Sequence, residues 1–142
     1  MLLSEALKNK VNRLVSKAWK PPTFTEEELR LPISLQRRGE TLVSTQEYIE
    51  SFANERQQTI YEAQELELEK AIRLTVARFS ELPDSYTVGI AGQGTKSKQD
   101  LIAEVRNQSK FGQELLESEI YNITVLQQLI AKFELRKRHL VH

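Results

Sequence analysis

The residues whose spacing comes nearest to chemistry lie in Val88-Gly-Ile-Ala-Gly-Gln-Gly-Thr-Lys-Ser97. A phosphate-binding loop needs a glycine, four residues and then Gly-Lys-Ser/Thr, set between a buried strand and a helix. Its backbone amides then cradle the phosphates while the lysine reaches the outer ones. Gly89 and Gly94 have the required separation, but Thr95 stands between Gly94 and Lys96-Ser97. That insertion displaces both the lysine and the hydroxyl that would hold magnesium. What survives is a simpler capacity. Gly92, Gly94, Lys96, Ser97 and Lys98 form a candidate anion-binding set at a predicted helix N-terminus, because glycine amides, ammonium groups and the helix dipole all favour negative charge. The segment as a whole reads first as a flexible loop between two helices.

Other chemistry is thinner. Glu62, Glu65 and Glu69 are expected on one helix face, with Lys70 and Arg73 as solvated partners. A di-iron site would need a Glu-x-x-His pair on each of two helices, and the only histidines are His139 and His142. Their position also removes histidine-based general acid–base schemes. The chain has no cysteine, which excludes disulfides, thiolate metal sites and cysteine nucleophiles. The expectation is a non-enzymatic protein with no catalytic residue, no metal site and no cofactor.

Twenty basic and twenty acidic residues cancel, so net charge selects no partner. Their distribution is uneven. Met1 to Lys20 holds five basic residues and one acid, whereas Ser44 to Glu81 holds eight acids and four bases. The longest mainly apolar uncharged stretch, Ile120 to Ala131, has 12 residues, short of the ~20 that a membrane-crossing helix needs. Missing cysteines, and a basic N-terminus without signal-peptide order, point to a cytoplasmic protein.

The elements that must position these residues follow from hydrophobic period and helix punctuation. Leu3, Leu7, Val11, Leu14, Val15 and Ala18 recur at helical spacing, predicting an amphipathic helix over 2–19 that Trp19 closes and Pro21-Pro22 stop. Thr25 to Glu28 and Ser44 to Glu47 both read as capping boxes. The first opens a short helix that cannot pass Pro32. The second opens a helix that nothing interrupts before Pro83, although Ala53 to Gln58 forms a polar waist where it is exposed or bends. Pro32 to Val43 reads as irregular, with a turn at Gly39, and Tyr86 to Ile90 as a short β-like run. Ser97 caps a helix carrying Leu101, Ile102 and Val105. A turn is expected around Asn107 to Gly112, with Ser109 as a new cap. In the last helix Leu116, Ile120, Ile123, Leu126, Ile130 and Phe133 form a heptad-like seam.

The fold class these readings predict is all-α: a long antiparallel, coiled-coil-like helical hairpin joined by the glycine-rich loop, with the amphipathic helix attached. It divides into an N-terminal helix and proline-rich arm over 1–43 and a hairpin domain over 44–142. Thr95-Lys-Ser-Lys-Gln-Asp-Leu-Ile-Ala-Glu-Val105, followed by a turn and a second helix, resembles the opening helical pair of HU-type histone-like proteins. That resemblance covers only this part of the chain and implies a shared helix-turn-helix pattern. The basic β-arms of that family have no counterpart here.

Three functions follow in order. The first is an assembly or adaptor subunit that binds a protein partner or a second copy through Leu3, Leu7, Val11, Leu14, Trp19 and the Leu116–Phe133 seam. Exposed apolar stripes of this size seldom stay wet. The second is nucleic-acid association through the basic N-terminal helix and the helix-turn-helix-like segment. The third is weak anion or nucleotide binding at the glycine-rich segment.

Overall fold

The computed structural model describes residues 2–141, with side-chain surroundings given through Arg138, so the side chains of His139 and His142 lie outside the described part. Helix α1 spans Glu5–Lys17 and α2 spans Glu26–Arg30. Strands β1 (Pro32–Leu35) and β2 (Leu42–Ser44) follow, then α3 (Thr45–Ser51) and α4 (Leu68–Ser80). The chain continues through β3 (Thr87–Ile90), β4 (Gly94–Ser97), α5 (Lys98–Asn107) and α6 (Lys110–Val141). The architecture is therefore mixed, with two small antiparallel sheets among the helices. The all-α, coiled-coil-like hairpin is overturned.

Both missed sheets have local causes. Pro32 to Val43 forms a hairpin in which Gly39 and Glu40 take positive φ and Gln36 donates its N–H to Thr41. All four residues of β1 are buried, so its sequence lacks the alternation that marks a half-exposed strand. Tyr86 to Ile90 becomes β3, but its partner β4 is the glycine-rich segment itself, paired from Thr87 with Ser97 to Ile90 with Gly94. Gly92 and Gly94 supply the positive φ that the tight turn demands.

The long second helix also fails, at its polar waist. Helix α3 stops at Ser51, Glu55 turns left-handed at φ 55° and Arg56 donates back to Ser51 O. The chain then runs beside β1: Arg37 N–H donates to Thr59 O and Tyr61 N–H to Leu35 O. Two 3-10 turns, Gln57–Thr59 and Ala63–Glu65, precede α4. Burying Ile60, Ala63 and Leu66 against β1 and α6 outweighs helix propensity here. Glu62, Glu65 and Glu69 consequently share no helix face.

Punctuation reads more faithfully than period. The capping boxes at Thr25, Ser44 and Ser97 all form, each with reciprocal backbone and side-chain bonds. Ser109 caps α6 by accepting from Gly112 N–H at 3.0 Å, after Gln108 has turned left-handed. The division expected at residue 43 falls inside β2, and one buried cluster draws Leu3, Ile33 and Val43 together with Leu74, Val105 and Ile123.

Helix α1 lies along α6, running in the same direction. Lys10 stacks over Tyr121 at 5.4 Å, and Lys132 Nζ donates to the carbonyls of Val15 (2.8 Å), Ser16 (3.3 Å) and Ala18 (2.8 Å). One ammonium thus satisfies the end of α1, where orphan carbonyls carry the negative pole of the helix dipole. Lys132→Met should cost about 1–2 kcal/mol. Amide exchange would accelerate across α1 while α4 and α5 keep their protection. Unchanged protection in α1 would show that its apolar face alone holds it.

Candidate functional site

The expected partner-binding residues divide into two groups. Leu3, Val11, Leu116, Ile120, Ile123, Ile130 and Phe133 are buried, while Leu7 and Leu126 are half-buried and pack against the same core. Helix α6 has α1, α4, α5 and the Ala63–Glu65 turn around it, so the seam is covered by the chain's own elements. Only Leu14 and Trp19 of the expected set stand exposed, at 46% and 80%.

The anion-binding set is brought close together but is already engaged. Ser97 Oγ accepts from Asp100 N–H in the cap of α5. Lys98 Nζ donates to Leu82 O at 3.0 Å and meets Asp84 Oδ1 at 3.1 Å. Lys96 lies over the Phe111 ring at 5.9 Å. Gly92 and Gly94 form the hairpin turn, so the segment offers a paired ribbon where a phosphate loop would need free converging amides.

That ribbon builds a different feature. Alternation along β3 exposes Thr87 and Gly89 and turns Val88 and Ile90 inward. Opposite them lie Glu27 and Glu28 of α2, with Leu31 just past its end. Between these walls lie Phe79 and Arg78 of α4, Leu101 of α5, and Leu115, Ser118 and Glu119 of α6, with Leu82 and Tyr86 closing one end. The groove encloses about 700 Å³, within the usual range of binding clefts.

Its floor holds a largely buried ion pair. Arg78 Nε meets Glu119 Oε1 at 2.6 Å, and Arg78 Nη1 donates to Pro32 O at 2.7 Å, so one guanidinium joins α4, α6 and β1. The pair neutralises itself and leaves the rim to set the field. Glu27, Glu28 and Glu81 line the exposed rim against a single cation, Arg30, which itself faces Glu26 at 3.7 Å. The Thr25 backbone N–H and hydroxyl hold the pKa of the Glu28 carboxyl below its ordinary value, and the same bonds fix it as the cap of α2.

Sequence reasoning missed this groove. The inward pair Val88 and Ile90 was visible as a β-like run, but Arg78 and Glu119 are 41 residues apart and nothing local joins them. Compared with family models, curated proteins and solved structures, the chain matches none.

Proposed function

We propose that this chain is a non-enzymatic protein-interaction module whose groove between α2, β3 and α6 receives an extended, basic and apolar segment of a partner protein. The observation that carries the reading is the combination in one cleft of an apolar wall, Phe79, Tyr86, Val88, Ile90 and Leu115, with a rim of three carboxylates. The wall favours leucine- or phenylalanine-sized side chains through burial, and the rim selects positive charge between them. An extended occupant suits the geometry, because its alternate side chains can meet the alternate residues Val88 and Ile90 that β3 turns into the groove. Protein–protein contact is retained from the sequence reading, while its place moves from the α6 seam to the groove.

A short synthetic peptide alternating Leu or Phe with Arg tests this. Titrated into isotopically labelled protein, it should shift amide resonances of α2, β3 and the end of α4, whereas a matched peptide with Glu in place of Arg should not. Glu27→Lys combined with Glu81→Lys should weaken binding by at least about tenfold, or about 1.4 kcal/mol. Equal binding of both peptides, or shifts lying outside the groove, would remove the proposal.

A further inference from the structure

Two basic clusters that lie far apart in sequence meet at one end of the molecule. Ala6 to Thr25 contains five basic residues and no acid, and Ile120 to Arg138 contains four basic residues and one acid, Glu134. The Lys132 bonds to the last carbonyls of α1 bring these stretches together. Glu134 is already met by Lys137 at 2.9 Å and Arg138 at 3.7 Å, and Lys8 is met by Glu5 at 3.7 Å, which leaves the surface charge to Arg13, Lys17, Lys20 and Arg136.

Large apolar side chains stand among those cations. Trp19 is 80% exposed, Leu14 46% and Leu135 45%. Lys10, Leu14 and Lys17 recur at helical spacing on an exposed flank of α1 that borders α6, where Lys10 lies over Tyr121, with Arg13 beside them. Lys20 lies over the Trp19 ring at 5.2 Å, so ring and ammonium are presented as one amphipathic unit. Tryptophan and leucine interleaved with lysine and arginine match the interface of a bilayer, where indole sits at headgroup depth and cations face anionic lipid. A nucleic-acid backbone would use the cations but gains little from two exposed leucines. Among the described residues no helix is long and apolar enough to cross a membrane, so the contact is with the surface.

We propose that the end of the molecule formed by the close of α1, Trp19 and the last turns of α6 docks on an anionic lipid bilayer. It depends on no feature of the α2–β3 groove, and either surface can fail without the other.

Trp19 is the sole tryptophan, so its emission reports directly. With vesicles of phosphatidylcholine and phosphatidylglycerol, the emission should shift to the blue, brominated lipid should quench it, and the protein should float with the vesicles. Added salt should reverse all three, and phosphatidylcholine alone should give none. Arg13→Glu with Lys17→Glu, both on exposed positions, should weaken vesicle binding by at least about tenfold with an unchanged thermal melt. Should that variant melt early, Trp19→Ser with Leu135→Ser provides the second reading and should reduce flotation. Silence of Trp19 toward anionic vesicles, or equal binding to neutral ones, would overturn the proposal. So would an oligonucleotide complex lost with the same charge reversals while vesicles leave the emission unmoved, an outcome that assigns the surface to nucleic acid.

Discussion

Gly112→Ala is expected to lower the thermal midpoint by roughly 10 °C, a loss of about 3 kcal/mol for a chain of this size. Gly112 is buried in the first turn of α6, and a Cβ built there would stand 1.9 Å from Glu104 O and 2.5 Å from Glu104 C. These are backbone atoms of α5, so no rotamer change relieves the overlap and the two helices must part. Two effects compete. Alanine gains about 1 kcal/mol of helix propensity over glycine, while forcing volume into a packed contact costs ~1–3 kcal/mol and occasionally more. Overlap this deep with rigid backbone places the cost at the upper end or beyond, because Leu101, Val105 and Leu116 lose packing as the helices separate. Gly89→Ala is the control: its site has negative φ, nothing lies within 4 Å of the added Cβ, and stability should barely move. Circular dichroism melts of the two variants decide it. A Gly112→Ala protein as stable as the parent would mean that α5 and α6 do not cross this closely.

Gly112 also shows what kind of information the sequence carries. The expected turn between Asn107 and Gly112 and the Ser109 cap were legible, because capping depends on residues within one helical turn. That the same glycine lets two helices touch was illegible, since the touching carbonyl belongs to Glu104 of another element. The two capping boxes at Thr25 and Ser44, the Ser97 cap and the helix stop before Pro32 were likewise local and correct. The long helix over 44–82 was not, although no proline or glycine interrupts it. Its break depends on Leu35 of β1 and on Arg37 just beyond it, which bond Tyr61 and Thr59, and on α6, which buries Ala63. Propensity is a weak prior against such tertiary partners.

The sites divide in the same way. Heptad spacing picked out five buried residues of α6, Leu116, Ile120, Ile123, Ile130 and Phe133, but not Thr124 or Gln127, and not what covers them: a covering made of the chain's own helices and one supplied by a partner leave the same pattern. The motif reading placed strand-like character at Tyr86 to Ile90, yet the groove required α2 and β3 to face each other, which no spacing encodes. Conversely, the basic end of the molecule was half visible. Both clusters could be counted in sequence, and the Lys132 contacts with Val15 and Ala18, with Lys10 over Tyr121, show that they share a surface.

Gln127 holds the non-helical segment in place, and its replacement is the second large effect. Its side chain is 2% exposed; Oε1 accepts from Ala63 N–H at 2.7 Å, while Nε2 donates to Ile33 O at 3.2 Å and Tyr61 O at 3.3 Å. Tyr61 O also accepts from the Ser34 hydroxyl, so it keeps a partner whatever stands at 127. Ile33 stands at the irregularity between Pro32 and Ser34 and has no register partner in β2, so its carbonyl relies on the Gln127 amide. Gln127→Leu therefore orphans one buried donor and one buried acceptor, at ~1–3 kcal/mol each, against ~1 kcal/mol regained from apolar burial. Urea denaturation should show a net loss of about 2–4 kcal/mol. Gln127→Glu separates charge from shape. Its carboxyl keeps an acceptor for Ala63 N–H, and when protonated it can still donate toward Ile33 O. Burial raises the pKa of such a carboxyl, so the stability of this variant is best preserved below the unfolded-state value of about 4.3 and falls as pH rises through the raised folded value. The deficit relative to the parent should thus be small in mild acid and large above neutrality. A Gln127→Leu protein within about 0.5 kcal/mol of the parent, or a Gln127→Glu deficit that does not grow with pH, would mean that the segment from Ile60 to Leu66 is held by its apolar side chains and not by this amide.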